Sequence, residues 1–142
     1  MKLSMSSEMG IHAVWYLAHK EFSAPVQASI LSNAIGASET YLTKVLHKLA
    51  DAGVLRSKKG KLGGFSLGRS PEDISLADIV SACEAEEPLY SCQRESRLCT
   101  GDLAVCPICI SLGRARELLF TELAKTRVSD LVEFGWRVPE GP

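Results

Sequence analysis

The chain has 142 residues, 46% of them hydrophobic, and a formal net charge of -1 at pH 7. This length and apolar content suit one compact domain, or a small domain with an extension, and exclude a disordered tail. The sequence lacks the roughly 18 consecutive apolar residues of a membrane span, and residues 1–10 lack the apolar stretch of a secretory signal, so we expect a cytoplasmic protein.

Three helices are predicted in the first part of the chain. Apolar side chains recur at helical spacing over residues 6–20 and again over residues 26–35, and Gly36 ends the second segment. Ser38 is a favourable N-cap for a third helix, whose apolar positions repeat until Gly53 supplies a stop. A short helix, a glycine turn and a longer helix in this order are typical of a helix-turn-helix.

A short β-hairpin and three further helices are predicted downstream. Residues 54–56 and 65–67 are strand-like and flank a polar turn that contains glycine. Further helices are predicted at residues 75–84, from Pro107 to about residue 125, and at residues 128–134, whereas residues 89–105 show no periodicity and indicate a loop. We therefore expect a mainly α fold, a winged helix-turn-helix with a small β-hairpin wing, followed by a long C-terminal helix.

Basic residues are concentrated between residues 38 and 69. This segment carries seven basic and two acidic residues, a net charge of +5 within an otherwise acidic chain, which is typical of a local phosphate-binding surface. Polar and basic side chains of the third helix are then available to a DNA major groove, while the hairpin turn can approach a phosphate or the minor groove. The alternative is a compact αβ fold with a charged rim. The candidate DNA-binding residues are Ser38, Glu39, Thr40, Tyr41, Thr43, Lys44, His47, Lys48, Lys58, Lys59, Lys61, Gly63 and Gly64.

Five cysteines in a cytosolic chain favour metal binding or redox chemistry over structural disulfides. Cys83 lies on the apolar side of its predicted helix and is interpreted as a core residue. The other four, Cys92, Cys99, Cys106 and Cys109, read C-x6-C-x6-C-x2-C. Only the last two form the close pair that zinc sites use, whereas well-separated single thiolates suit an iron–sulfur cluster. Cys106 and Cys109 also fall at a predicted helix start, where the helix dipole stabilises thiolate.

Taken together, these features resemble the iron–sulfur winged-helix transcription regulators of the IscR and NsrR type, over nearly the whole chain. The resemblance rests on the three spaced cysteines and on five short motifs, namely YL at 41–42, LADAGVL at 49–55, GKLGGF at 60–65, ISLADI at 74–79 and SDLV at 129–132. It implies a homodimer joined through the long C-terminal helix, a palindromic double-stranded DNA operator, and a cluster on Cys92, Cys99 and Cys106. The implied function is a regulator, with repression favoured over activation, that senses redox state, nitric oxide or iron–sulfur status.

The resemblance leaves the remaining cluster ligands open. Cys109 lies three residues after the third family cysteine, where the IscR branch has a histidine ligand. Glu8 and His12 lie four residues apart on the first helix, and some relatives use an acidic residue, with or without histidine, donated there by the partner subunit. A mixed ligand set of this kind favours a [2Fe–2S] over a [4Fe–4S] cluster. We expect a winged helix-turn-helix domain over residues 1–87, a cysteine-rich cluster loop over 88–106, and a dimerisation helix with the C-terminal segment over 107–142.

Two other classes of function fit parts of the sequence. In the first, Cys106 and Cys109 bind zinc or oxidise as a switch on the same DNA-binding scaffold. In the second, Cys-Pro-Ile-Cys acts as the C-x-x-C pair of a thiol oxidoreductase, but the alternation of strands and helices typical of that fold is absent from the sequence pattern. Since the sequence also lacks a phosphate loop, the order of a catalytic triad and paired acid–base carboxylates, we do not expect an enzyme and expect no small-molecule substrate.

Overall fold

The computed structural model describes residues 2–84, 89, 90, 92 and 102–135. Within these residues the chain forms six α-helices, one antiparallel β-hairpin and a 3₁₀ turn at Pro71–Asp73. None of the helices described is both long and apolar enough to cross a membrane. The elements in chain order are α1 (Met5–Lys20), α2 (Ala28–Ile35), α3 (Glu39–Asp51), β1 (Leu55–Lys58), β2 (Gly64–Leu67), α4 (Leu76–Cys83), α5 (Pro107–Leu123) and α6 (Val128–Phe134).

The first helix is the centre of the fold and packs against α2, α3, α4 and α6. Its approach to α4 is close because Gly10 has no side chain; a Cβ at that position would lie 2.7 Å from the Cys83 Sγ. Cys83 is buried, as its place on the apolar side of α4 predicts. The core around α1 consists of Ala13, Val14, Leu17, Ala18, Val26, Leu31, Leu42, Val45, Leu46, Leu49, Val54, Leu55, Phe65, Ile74, Ile79, Cys83 and Val128.

The helix-turn-helix begins later than the sequence indicates. Val26 is apolar and continues the spacing of α2, but it pairs with Phe65 as a single antiparallel bridge, with both N···O distances at 2.8 Å. Helix α2 therefore starts at Ala28, after Gln27 as N-cap. The prediction of a helix from residue 26 was wrong because local periodicity does not reveal that the Val26 backbone completes the hairpin.

The third helix matches its prediction. It begins after Ser38, although that side chain makes no capping hydrogen bond, and its four apolar positions Leu42, Val45, Leu46 and Leu49 are buried. Gly53 then adopts a left-handed backbone with φ of 75°, which is the usual way for a helix to end. Each strand is one residue longer than predicted, and β1 starts one residue later; they pair from Leu55 with Leu67 to Lys58 with Gly64.

A backbone bridge joins the starts of α4 and α6. Ser75 and Arg127 form an isolated antiparallel pair, and the first turn of each helix is capped by its own aspartate. Asp78 accepts from the Ser75 backbone N–H at 2.8 Å, and Asp130 accepts from that of Arg127 at 2.7 Å. The Trp15 indole N–H of α1 also donates to the Leu131 carbonyl of α6 at 3.1 Å. These bonds fix α6 against the winged-helix core.

The fifth helix contacts the rest of the described chain mainly through α4. None of its seventeen residues is buried. Ile108 and Leu118 are 55% and 70% exposed. An amphipathic helix normally buries its apolar side, so much of the apolar surface of α5 is left without a partner in the described part of this chain.

Candidate nucleic-acid interface and cysteine site

Helix α3 presents a polar face to solvent. Because Leu42, Val45, Leu46 and Leu49 turn inward, the candidate residues on the remaining sides stay accessible. Of these, Thr43 is half-buried and donates to the Glu39 carbonyl at 2.7 Å, and Tyr41 is 39% exposed. The exposed candidates are Ser38, Glu39, Thr40, Tyr41, Lys44, His47 and Lys48. Short polar and basic side chains on one exposed helix face suit entry into a major groove.

Two of these residues also have contacts within the protein. The His47 ring meets the Phe65 ring edge to face, with centroids 5.3 Å apart, which places it on the side of α3 next to the wing. The Lys48 Nζ donates to the Cys83 carbonyl at 3.4 Å, at the end of α4. A cation is favourable at a helix C-terminus, so Lys48 links α3 to α4, and its contact with DNA stays a prediction.

The wing carries its charge on an ordered turn. Lys58, Lys59 and Lys61 are all exposed. We predicted that Gly63 and Gly64 allow close approach to DNA, and the structure gives both a role inside the protein. A Cβ on Gly63 would collide with the Lys58 carbonyl oxygen. A Cβ on Gly64, where φ is 145°, would collide with the Val26 carbonyl. The glycines therefore shape the wing, and their contact with DNA stays a prediction.

The thiols of Cys106 and Cys109 lie at the start of α5. Cys106 is the N-cap and Pro107 the first helical residue, as the sequence predicts. The backbone N–H of Cys109, followed by that of Ile108, lowers the pKa of the Cys106 thiol. Helix-terminal N–H groups act in this way because they favour negative charge. Cys83 contrasts with this site, since burial raises the pKa of its thiol to about 11.

Tyr90 belongs to the same site and was missed by the sequence analysis. Its pKa is raised chiefly by the charge of Cys92, with smaller effects from Cys109 and Cys106. Cys92 and Cys109 also line a cavity of about 250 Å³ together with Tyr90 and Arg116. The only sequence signal was an aromatic residue two positions before a cysteine.

The other predicted ligands are not gathered with these thiols. Cys99 lies outside the described residues. Glu8 is exposed and His12 half-buried, both on α1. Among the described residues, no three His, Cys, Asp or Glu side chains form a group with the arrangement of a metal site. The assignment of Cys92, Cys99 and Cys106, with Glu8, His12 or Cys109, therefore stays a prediction.

A junction at the end of α4 was not predicted. The Glu84 carboxylate accepts from the Ser4 backbone N–H at 2.8 Å and from the Ser7 hydroxyl. The Ser7 hydroxyl is the main reason that the pKa of Glu84 is lowered. Glu84 directly follows Cys83, whose carbonyl accepts a hydrogen bond from the Lys48 Nζ. The junction, defined as Ser4, Ser7, Lys48, Cys83 and Glu84, joins the start of α1 and the end of α4 to α3.

Comparison with known sequences identifies relatives among transcription regulators. Residues 3–134 match the profile of the Rrf2 family, described as an iron-dependent transcriptional regulator. The chain is 30% identical to Protein rrf2 of Nitratidesulfovibrio vulgaris over 132 residues, which is 93% of this chain and 87% of that protein. It is 36% identical over 93 residues to YffB, an HTH-type transcriptional regulator of Lactococcus lactis, covering 66% of this chain and 60% of that relative's length.

Solved structures show the same fold. CymR, the global cysteine regulator of B. subtilis, matches with a TM-score of 0.70 at 24% identity, over 96% of this chain and 99% of that chain. IscR of T. potens matches with a TM-score of 0.69 at 23% identity, over 94% of this chain and 88% of that chain. The two neighbours share the mainly helical winged architecture described above.

Proposed function

The chain belongs to the Rrf2 family of transcription regulators, and from that premise we propose that it is a homodimer whose binding to a palindromic operator is controlled by an iron–sulfur cluster. The observation that carries the proposal is that Cys92 and Cys109 line one cavity beside α5, whose N-cap is Cys106. The homologues are regulators and not enzymes, and DNA binding follows from the family.

The proposed dimer interface is the exposed apolar side of α5. Ile108, Ala115 and Leu118 are separated by seven and three residues, which puts them on one side of the helix, and all three are exposed. A second copy of α5 would cover them. Two-fold symmetry would then present two recognition helices to half-sites about one helical turn, roughly 34 Å, apart.

The cysteine site has the donor chemistry that a cluster needs. Thiolates are the usual ligands of iron–sulfur clusters, and the lowered pKa of Cys106 favours its thiolate. Cys92, Cys99 and Cys106 would hold the cluster, with Cys109, or Glu8 and His12 of the partner subunit, completing the set; the second alternative favours [2Fe–2S]. A cluster bound there would supply an iron centre that responds to oxidants and nitric oxide.

The junction at the end of α4 supports a route from this site to DNA. The cysteine segment follows directly on Glu84, which is bonded to α1, and on Cys83, whose carbonyl accepts from Lys48 of the recognition helix. A change in the conformation of residues 89–109 would then alter the hydrogen bonds of Glu84 and of the Cys83 carbonyl. The two recognition helices would then shift between arrangements that match the operator and arrangements that do not.

The first test combines composition with DNA affinity. We expect anaerobically purified protein to be coloured, with equal iron and acid-labile sulfide, and its affinity for a duplex selected from a random pool to differ between cluster-bound, oxidised and apo protein. Cys99→Ser should abolish the colour, whereas Cys83→Ser, the control outside the site, should retain it. Equal affinity in all three states would contradict cluster control. Colourless protein with stoichiometric zinc would favour the zinc or thiol switch, using Cys106 and Cys109.

The second test concerns the interface between the two copies. Leu118→Glu should convert the dimer to a monomer in light scattering, because burying an unpaired carboxylate in an apolar contact is costly. Glu117→Lys, a charge change on another side of α5, is the matched control and should remain dimeric. If Leu118→Glu leaves the mass unchanged, α5 is not the interface.

A further inference from the structure

The tip of the wing carries an apolar side chain that has no role inside the protein. Leu62 is 82% exposed, more than any other large hydrophobic side chain in the described part of the chain. Its neighbours Lys59 and Lys61 are also exposed. The core formed by α1, α3 and the base of the hairpin does not use Leu62, so folding gives no reason for leucine at this position.

The tip that carries Leu62 is held in place from three sides. The Gly63 N–H donates to the Gly60 carbonyl at 3.0 Å and closes the turn. The Gln27 side chain donates to the Lys61 carbonyl at 3.4 Å, directly beside Leu62. Phe65, in the strand that follows the tip, forms the antiparallel bridge with Val26 ahead of α2. Because these contacts restrict the tip before binding, little further entropy is lost when it meets a ligand.

The minor groove of DNA matches this combination of charge and apolar surface. Lysines on either side of the tip would reach the phosphates that border the groove, leaving the leucine between them facing its floor. On that floor an A·T pair presents only acceptors, whereas a G·C pair adds the 2-amino group of guanine, a hydrogen-bond donor. Leucine cannot accept from this donor and would remove it from water, which is unfavourable.

We propose that Leu62 is a specificity-determining residue that enters the minor groove beside each half-site and favours A·T over G·C pairs there by excluding the guanine 2-amino group. The inference rests on operator binding as proposed above. It does not depend on the cluster, because the wing tip is remote in sequence from the cysteines. The selectivity adds to whatever bases α3 reads in the major groove.

Base analogues test the proposal directly. A selected operator is prepared with its wing-contacted positions, identified by footprinting, as A·T, G·C, inosine·C or diaminopurine·T, and dissociation constants are measured by fluorescence anisotropy. Inosine lacks the 2-amino group and diaminopurine adds it. We expect wild-type protein to bind A·T and inosine·C alike, and to bind G·C and diaminopurine·T about fivefold or more weakly. Leu62→Ala should bind A·T up to about tenfold more weakly and lose the discrimination.

The control is Lys61→Ala, which should weaken binding to all four duplexes alike and reduce the dependence of affinity on salt. Discrimination that persists in Leu62→Ala, or that disappears in Lys61→Ala instead, would overturn the proposal. If inosine·C binds as weakly as G·C, the protein distinguishes the pairs by their major-groove edges, and the proposal is wrong. A protein that selects no duplex at all would instead refute operator binding, so the two failures are distinguishable.

Discussion

Replacing Gly10 with alanine should destabilise the protein, although alanine stabilises most helix interiors relative to glycine. Gly10 lies within α1, where the alanine side chain by itself would contribute about 0.5–1 kcal/mol. The new methyl group would, however, lie 2.7 Å from the Cys83 Sγ. Overpacking of this kind costs about 1–3 kcal/mol. We expect Gly10→Ala to lower the free energy of unfolding by up to about 2.5 kcal/mol, the difference between these effects.

Removing the sulfur should reverse the sign of the effect. In a Cys83→Ala background, the nearest remaining atoms to the new methyl group are those of Ile79 and Leu49, at 3.4 and 3.6 Å, which is ordinary contact. Gly10→Ala should then raise the free energy of unfolding by about 0.5 kcal/mol. The coupling energy between the two sites should be at least about 1 kcal/mol.

Denaturant unfolding of the wild type, both single variants and the double variant measures this coupling. All four proteins are compared under reducing conditions and at one protein concentration, because a dimer is more stable at higher concentration. Far-ultraviolet circular dichroism checks that each variant is folded before unfolding. If Gly10→Ala changes stability equally in both backgrounds, the close contact between α1 and α4 does not set the packing, and the reasoning is refuted.

Three further predictions concern single contacts. Ser7→Ala should raise the pKa of Glu84 and lower the free energy of unfolding at pH 7 by about 1 kcal/mol. This loss should shrink below pH 4.5, the ordinary pKa of a glutamate, because Glu84 is protonated first in the unfolded state and, at lower pH, also in the folded state. A loss of stability that does not depend on pH would contradict this prediction. Lys58→Ala should reduce the salt slope of operator binding by about 1 without changing stability, and an unchanged slope would exclude a phosphate contact. Asp130→Asn should cost about 1 kcal/mol by weakening the cap on Arg127, and urea unfolding that matches wild type would show that this cap is dispensable.

Local patterns in the sequence were enough to predict most helices. The apolar positions of α3, from Leu42 to Leu49, repeat with the helical period, and Gly53 ends the helix with the left-handed backbone expected of it. Cys106 was likewise placed at a helix start by the proline that follows it. These predictions succeeded because periodicity and capping depend on residues only a few positions apart.

Contacts between distant segments were not predictable in the same way. Val26 fits the period of α2, yet it pairs with Phe65 across 39 positions. Tyr90 gave little signal beyond its place near Cys92. The sequence pattern indicates only a DNA contact for Lys48, whereas in the fold its Nζ also donates to the Cys83 carbonyl at the end of α4. Each of these roles depends on a partner that the tertiary structure brings close.

The sequence by itself determined the order of the helices, the basic recognition segment and the resemblance to a regulator family, because these are properties of neighbouring residues. Only the tertiary structure decided that the Cys83 side chain packs against Gly10, that Glu84 joins α4 to α1, and that α5 is left with exposed apolar residues such as Leu118. The physical reason is that close packing and hydrogen bonding act between surfaces, and the sequence does not state which surfaces meet.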